Sequence, residues 1–245
     1  MNAYYLTDSG KIREHNEDNL TILKNENDEY LMAVADGMGG HKAGEVASLI
    51  AIDHLEKEFQ KKEKMGEKQD SINWIRNKVN EINNKIFKYT SEYEESKGMG
   101  TTLVIAILTK EYLLFGNIGD SSGFVLKQGK IFKVTNDHTL VNLLVSTGEL
   151  SEEEAKNHPR KNVVMKALGA INPAEIDIFD VDINVDGVLL CSDGLNTMLT
   201  NDQIEKVLNS ELTIEEKVVR LIRKSNNRGG NDNISVAYLN KKGSE

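Results

Sequence analysis

Several stretches of the chain share one ending, an apolar run set against an aspartate and, in most cases, a glycine. Residues 30–35 run into Asp36-Gly37, residues 112–117 lead to Gly119-Asp120, residues 188–192 meet Asp193-Gly194, and Asp232 closely precedes the run 234–239. Asp18 adjoins another run at 19–23. If these ends converge, five carboxylates share one cleft, where alone they would repel each other and several would stay protonated. Divalent cations remove that cost. With Cys191 the only cysteine and no paired histidines at ligand spacing, the ligation would be all oxygen, which suits Mg²⁺ or Mn²⁺ and not zinc. Glycine beside the acid leaves a main-chain carbonyl free to approach an ion or its water. Aspartate is also common in turns, so for any single stretch a plain turn competes; the recurrence favours a site. Asp177, Asp180, Asp182 and Asp186 lack this design and read as surface.

Two cations about 3.5–4 Å apart lower the pKa of a bridging water and clamp both oxygens of an in-line displacement at phosphorus. Arg13, just ahead of Asn16-Glu17-Asp18, could hold a substrate phosphate with a bidentate fork. Its competing reading is a surface ion pair with Glu14 or Glu17.

The elements that must position these groups follow from periodicity. Residues 3–6, 19–23 and 30–35 read as strands. A helix is expected over 43–60, with Val46, Leu49, Ile50, Ile52, Leu55 and Phe59 at helical spacing. A second long helix, capped by Asp70 or Ser71, carries Ile72, Ile75, Val79, Ile82, Ile86, Tyr89 and Tyr93 on one stripe and ends before Gly98. Trp74 lies near that stripe and reads as packing. Residues 101–108, 112–117, 122–126 and 131–134 form an antiparallel meander with short turns. Helical pieces follow at 139–146 and 151–157, the second opened by a Ser151-x-x-Glu154 capping box. The polar stretch 148–161 is either a mobile cover over a site or a surface excursion. Strands at 188–192 and 234–239 flank helices starting at Thr200 and Thr213. Strands in runs, apart from runs of helices, give an α+β fold with helices packed on antiparallel sheet.

Composition excludes other classes. The 245 residues suit one large domain, and 39% hydrophobic with 28% charged residues supports a sizeable core. A net charge of −9 opposes nucleic-acid binding and an anionic membrane surface. No apolar stretch approaches a membrane span, and a lone cysteine fits a reducing cytoplasm.

Taken in order, the motifs R-x-x-N-E-D at 13–18, V-A-D-G-M-G-G-H at 34–41, G-T-T at 100–102, G-N-I-G-D-S at 116–121, D-H at 137–138, L-x-S-D-G-L at 190–195 and G-G-x-D-N at 229–233 resemble the metal-dependent protein serine/threonine phosphatases of type 2C, the PPM family, in its compact bacterial form. The resemblance covers nearly the full length. It implies a four-layer αββα sandwich, two antiparallel sheets flanked by helices, as a single domain over 1–245 with a flap subdomain at about 145–166. It implies Asp36 as the bridging ligand, Gly37 as a carbonyl ligand, and Asp193 and Asp232 as the other acids of the first metal. Asp18, with Glu17 behind it, matches the second metal, acting mainly through water. Asp120 with Asp193 matches a third position. Arg13 matches the phosphate-binding arginine. The implied cofactors are two Mn²⁺ or Mg²⁺ ions with room for a third. The implied reaction is hydrolysis of phosphoserine or phosphothreonine in proteins by a metal-bridging water, without a phosphoenzyme. Expected partners are phosphorylated proteins, including a serine/threonine kinase and its substrates, met by a cytoplasmic monomer.

Two departures stand out. Met38 occupies the place where animal members usually carry a histidine proposed as general acid, so His41 becomes a candidate proton donor. Ser121-Ser122 stands where an arginine commonly follows the first serine. A non-catalytic phosphoprotein-binding module and a metal-stabilised structural domain are the competing functions. Loss of ligand acids would favour the first, and none is lost.

Overall fold

The computed structural model describes residues 1–40 and 43–241. In chain order the strands are β1 (Asn2–Asp8), β2 (Asp18–Lys24) and β3 (Tyr30–Met38), followed by helices α1 (Ala43–Gln60) and α2 (Lys68–Glu92). The meander comprises β4 (Gly100–Thr101), β5 (Leu103–Leu108), β6 (Leu113–Ile118), β7 (Ser122–Lys127) and β8 (Lys130–Lys133). Then come α3 (Leu140–Ser146), α4 (Glu152–Asn157), β9 (Asp177–Val181), β10 (Gly187–Cys191), α5 (Asp193–Asn196), α6 (Asn201–Leu208), α7 (Ile214–Asn227) and β11 (Ile234–Asn240).

The strands make two sheets, β1-β11-β10-β7-β8 and β2-β3-β5-β6-β9, with β4 paired to β3; every pairing is antiparallel. Alternation of side chains across each strand sends Met32, Val34, Val104 and Phe115 of one sheet against Val125, Val188, Leu190 and Ala237 of the other. The opposite faces take the helices. Leu31, Ala33, Ile105 and Leu114 meet α1 and α2, whereas Leu189, Cys191, Val236 and Tyr238 meet α6 and α7. The result is the expected αββα order of layers.

Three local readings need correction, and one strand was not foreseen. The second long helix starts at Lys68, not at an Asp70 or Ser71 cap: Glu67 is the N-cap, in a reciprocal capping box with Asp70. Ser71 instead turns inward, 2.7 Å from the Tyr112 hydroxyl. Leu49 is 53% exposed, because α1 lies against the sheet through Ala47, Ser48, Ala51 and Leu55. The run 101–108 is broken at Thr102, which bonds to Asp36 through both its N–H and its hydroxyl. The acids from 177 onward lie toward the surface as expected, with the Asp177, Asp180 and Asp182 side chains 43%, 52% and 61% exposed, but residues 177–181 also pair with β6 as an edge strand. Phe179 and Val181 face the inter-sheet core while Ile178 packs on the other side; the interspersed acids disguise the alternation.

Candidate functional site

The acids are delivered by strand ends in neighbouring positions. Asp18 opens β2 directly opposite Asp36 near the end of β3. Asp120 lies in the β6–β7 turn, Asp193 follows β10, and Asp232 precedes β11, the strand that pairs with β10. Asp36 is held at its main chain: its N–H donates to Thr102 Oγ1 at 3.0 Å and its carbonyl accepts from Thr102 N–H at 2.9 Å. Thr102 Oγ1 lies in turn 2.8 Å from Ser121 Oγ. Asp18 is buried, with Ser192 Oγ donating to its Oδ2 at 2.7 Å.

Glycine is required where the start of α1 meets β3. A Cβ on Gly37 would run into the Gly44 carbonyl, and one on Gly44 would sit 2.7 Å from Glu17 Oε1. That close approach brings the Glu17 carboxylate against Gly44 N–H, and Gly37 N–H donates to Glu17 O at 3.1 Å.

The electrostatics are those of acids facing acids. Burial, then the charges of Asp18, Asp193, Asp120 and Asp232, hold Asp36 well above the usual carboxylate range. Burial, with Asp120, Asp232 and Asp18 nearby, pushes Asp193 up to about 8. Asp120 rises to about 6 through burial and the neighbouring Asp137. Asp18 rises to about 6 because burial outweighs the hydroxyl bonds it receives. Burial also raises Glu17, against the pull of Arg13. Arg13 faces this group, and the charge of Lys133 acts to lower Asp120. The exposed Arg13 guanidinium donates to Asp232 Oδ2 at 2.8 Å, and that bond raises its own pKa.

Buried oxygens without a partner mark where a cation fits: Asp18 Oδ1, Asp193 Oδ1 and Glu17 Oε1 accept no hydrogen bond. Among the described residues no three His, Cys, Asp or Glu side chains form a ready-made cage for an ion.

The sequence-derived residues Arg13, Glu17, Asp18, Asp36, Gly37, Asp120, Asp193 and Asp232 thus come together. His41 lies outside the described residues. Met38 closes β3 opposite Gly100. Ser122, at the place where an arginine commonly stands, accepts from Asn196 Nδ2 at 2.8 Å and lies 3.3 Å from Asp137 Oδ1. Cys191 is fully buried in β10 and burial pushes its thiol up to about 12, which excludes it as a nucleophile at neutral pH.

Sequence reasoning named Asn233 only as the end of the G-G-x-D-N motif and gave it no role. Its amide donates to Ser9 O at 3.0 Å and His15 O at 2.9 Å, and its Oδ1 accepts from Glu17 N–H at 2.8 Å. One buried side chain therefore ties the Arg13 loop to the loop of Asp232. The available signal was an asparagine at the entrance to an apolar strand, where a buried polar group needs partners.

The protein phosphatase 2C family model matches residues 11–235. The serine/threonine phosphatase stp of Listeria welshimeri is 41% identical over 240 residues, covering 98% of this chain and 95% of that protein. Protein phosphatase PhpP of Streptococcus pneumoniae is 33% identical over 243 residues, covering 98% of this chain and 97% of that protein. The S. agalactiae serine/threonine phosphatase superposes with a TM-score of 0.91 at 36% identity, covering 97% of this chain and 98% of the other. The catalytic domain of the protein phosphatase PstP, solved in complex with two manganese ions, gives 0.82 at 31% identity over 98% and 97% of the two chains. With the family model matched over residues 11–235 and relatives matched over nearly the whole chain, the chain belongs to the protein phosphatase 2C family.

Proposed function

We propose that this family member hydrolyses phosphoserine and phosphothreonine in proteins at the acid cluster, with Asp36, Asp193 and Asp232 and the Gly37 carbonyl serving one Mn²⁺ or Mg²⁺, and Asp36 with Asp18 serving a second. The observation that carries this reading is the set of five mutually repelling aspartates with unpartnered buried oxygens. Such a set has no purpose without cations and fits all-oxygen ligation. Bound there, two divalent cations supply Lewis acidity and a nucleophilic water at neutral pH.

The chain's own residues do the rest. Arg13 exchanges its bond to Asp232 for the substrate phosphate, presenting a fork to two phosphate oxygens. Glu17 supports the cluster from behind the Gly37–Gly44 contact and accepts hydrogen bonds from water around the ions. Asp120, with Asp193, offers a third cation position. His41 stays a candidate proton donor, since Met38 has no proton to give. The chain acts as one catalytic domain in which residues of about 145–166 form a flap beside the cleft; the mainly exposed character of α4 supports this.

Kinase substrates, and a kinase itself, are the natural phosphoproteins for such an enzyme, since its reaction undoes kinase chemistry. A cytoplasmic setting accords with the free, buried Cys191, and no helix of the described residues is long and apolar enough to cross a membrane. A monomer is the simplest state consistent with a cleft built wholly from one chain. The test is release of phosphate from a phosphothreonine peptide with Mn²⁺ and with EDTA. Turnover should require Mn²⁺, and Arg13→Ala should lower kcat/KM by about 10²-fold, the worth of a lost charge-assisted contact. Metal-independent turnover would refute the reading.

A further inference from the structure

The β6–β7 turn that carries Asp120 is not held by its own backbone. Gly119 sits at φ +110°, and a Cβ there would lie 2.5 Å from the Thr102 side chain. Its main-chain groups are both taken by one residue. Gly119 N–H donates to His138 Nδ1 at 3.1 Å, and His138 N–H donates to Gly119 O at 2.9 Å. That carbonyl also accepts from Asn117 Nδ2 at 3.1 Å.

An imidazole nitrogen that accepts a hydrogen bond carries no proton, so the ring proton of neutral His138 belongs on Nε2. Nε2 faces Asp177 Oδ2 at 3.0 Å. Asp177 opens β9 and stands opposite Asn117 in the ladder with β6. The other neutral tautomer would set two N–H groups against each other at Gly119 and aim a bare nitrogen at a carboxylate. With the imidazole side chain only 9% exposed, little water is at hand to repair that mismatch.

We propose that His138 is a positioning residue: locked by Asp177 as the Nε2–H tautomer, it fixes the direction in which the Gly119 turn aims Asp120 into the acid cluster. This assigns a task to the second residue of the D-H pair and to an acid that the sequence places on the surface. The pattern is that of an outer-shell orienting bond, whose loss typically weakens metal binding by about 10- to 100-fold. The proposal rests on the reading of Asp120 as a cation-binding acid.

Mn²⁺ titrations of the full chain by calorimetry, on wild type and on Asp120→Asn, His138→Gln and His138→Asn, separate the two. Asparagine keeps an acceptor near the Nδ1 position, whereas glutamine reaches toward Asp177 and leaves Gly119 N–H unpaired. Asp120→Asn and His138→Gln should each weaken the weakest Mn²⁺ step by about 10-fold or more, and His138→Asn should stay within about 3-fold of wild type. An unchanged Asp120→Asn would remove the underlying reading and the proposal with it. A weakened Asp120→Asn beside an unchanged His138→Gln would overturn the role of His138 alone. Equal losses in both His138 variants would overturn the acceptor role. Nitrogen-15 NMR of the metal-free wild type gives a check that needs no variant: the shifts should show a protonated Nε2 and a bare Nδ1, and the reverse would overturn the proposal.

Discussion

Between α1 and α2, Glu58 and Glu81 each lie beside a cation. Lys78 Nζ lies 2.8 Å from Glu58 Oε2 and 2.8 Å from Glu81 Oε2, and His54 Nε2 lies 2.8 Å from Glu81. Lys85 Nζ completes the network at 2.8 Å from His54 Nδ1. Hydrogen bonds from Lys61 and Lys78 hold Glu58 down at about 2. At the strand ends the same carboxylate chemistry goes the other way: Asp193 is pushed up to about 8 by burial and by further acids, with Arg13 the nearby guanidinium. One region is neutralised by its own residues. The other is left short of positive charge, which is the difference behind the proposal that its cations come from outside.

The comparison breaks most sharply at the acid cluster. Asp36→Asn should lower Mn²⁺-dependent turnover by at least about 10³-fold, several kcal/mol of lost charge stabilisation, while the protein stays folded. A structural-only role for the ions predicts unfolding instead, so circular dichroism beside the kinetics decides between them.

A second contrast is in pH. A carboxylate whose folded pKa lies above its unfolded value binds more protons in the folded state between the two values, so stability falls as pH rises across that window. For Asp193 the window runs from the ordinary value of 3.8 to about 8, with Asp18 and Asp120 contributing up to about 6. The metal-free protein should therefore lose thermal stability from pH 5 to 8, and saturating Mn²⁺ should remove most of the decline. Asp193→Asn should raise the metal-free Tm at pH 8 by about 2–4 °C. A flat pH profile in EDTA would contradict the acid–acid account. The paired network gives the smallest effect: Lys78→Met should cost less than about 1 kcal/mol in denaturant unfolding and leave kcat/KM unchanged.

The sequence made the acid cluster legible because the constraint there is chemical and local. An aspartate next to glycine at the end of an apolar run keeps its meaning wherever the strand goes, and so Asp36, Asp120 and Asp193 could be found before any fold was known, with Asp232 ahead of the last strand completing the pattern. The layers were legible too, since period 2 and period 3.6 are set by which face is buried. The roles that escaped notice depend on partners distant in sequence. Asn233 reaches Ser9 and His15 across more than 200 positions, and Asp177 acquires its role only when β9 pairs with β6 beside His138. The exposed Leu49 was misread because small residues, not large ones, form the contact face of α1. Periodicity weighs size where close packing needs its absence.

The central claim is that the strand-end acids hold protons in the metal-free protein and give them up to divalent cations. Calorimetric titration of Mn²⁺ into the metal-free protein at pH 7, repeated in buffers of different ionisation enthalpy, measures that exchange directly. With Asp193 at about 8 and Asp36 also raised, binding should release at least about one proton per protein, and Asp193→Asn should reduce the release. Mn²⁺ binding with no proton release, or no Mn²⁺ binding by the folded protein, would contradict the account.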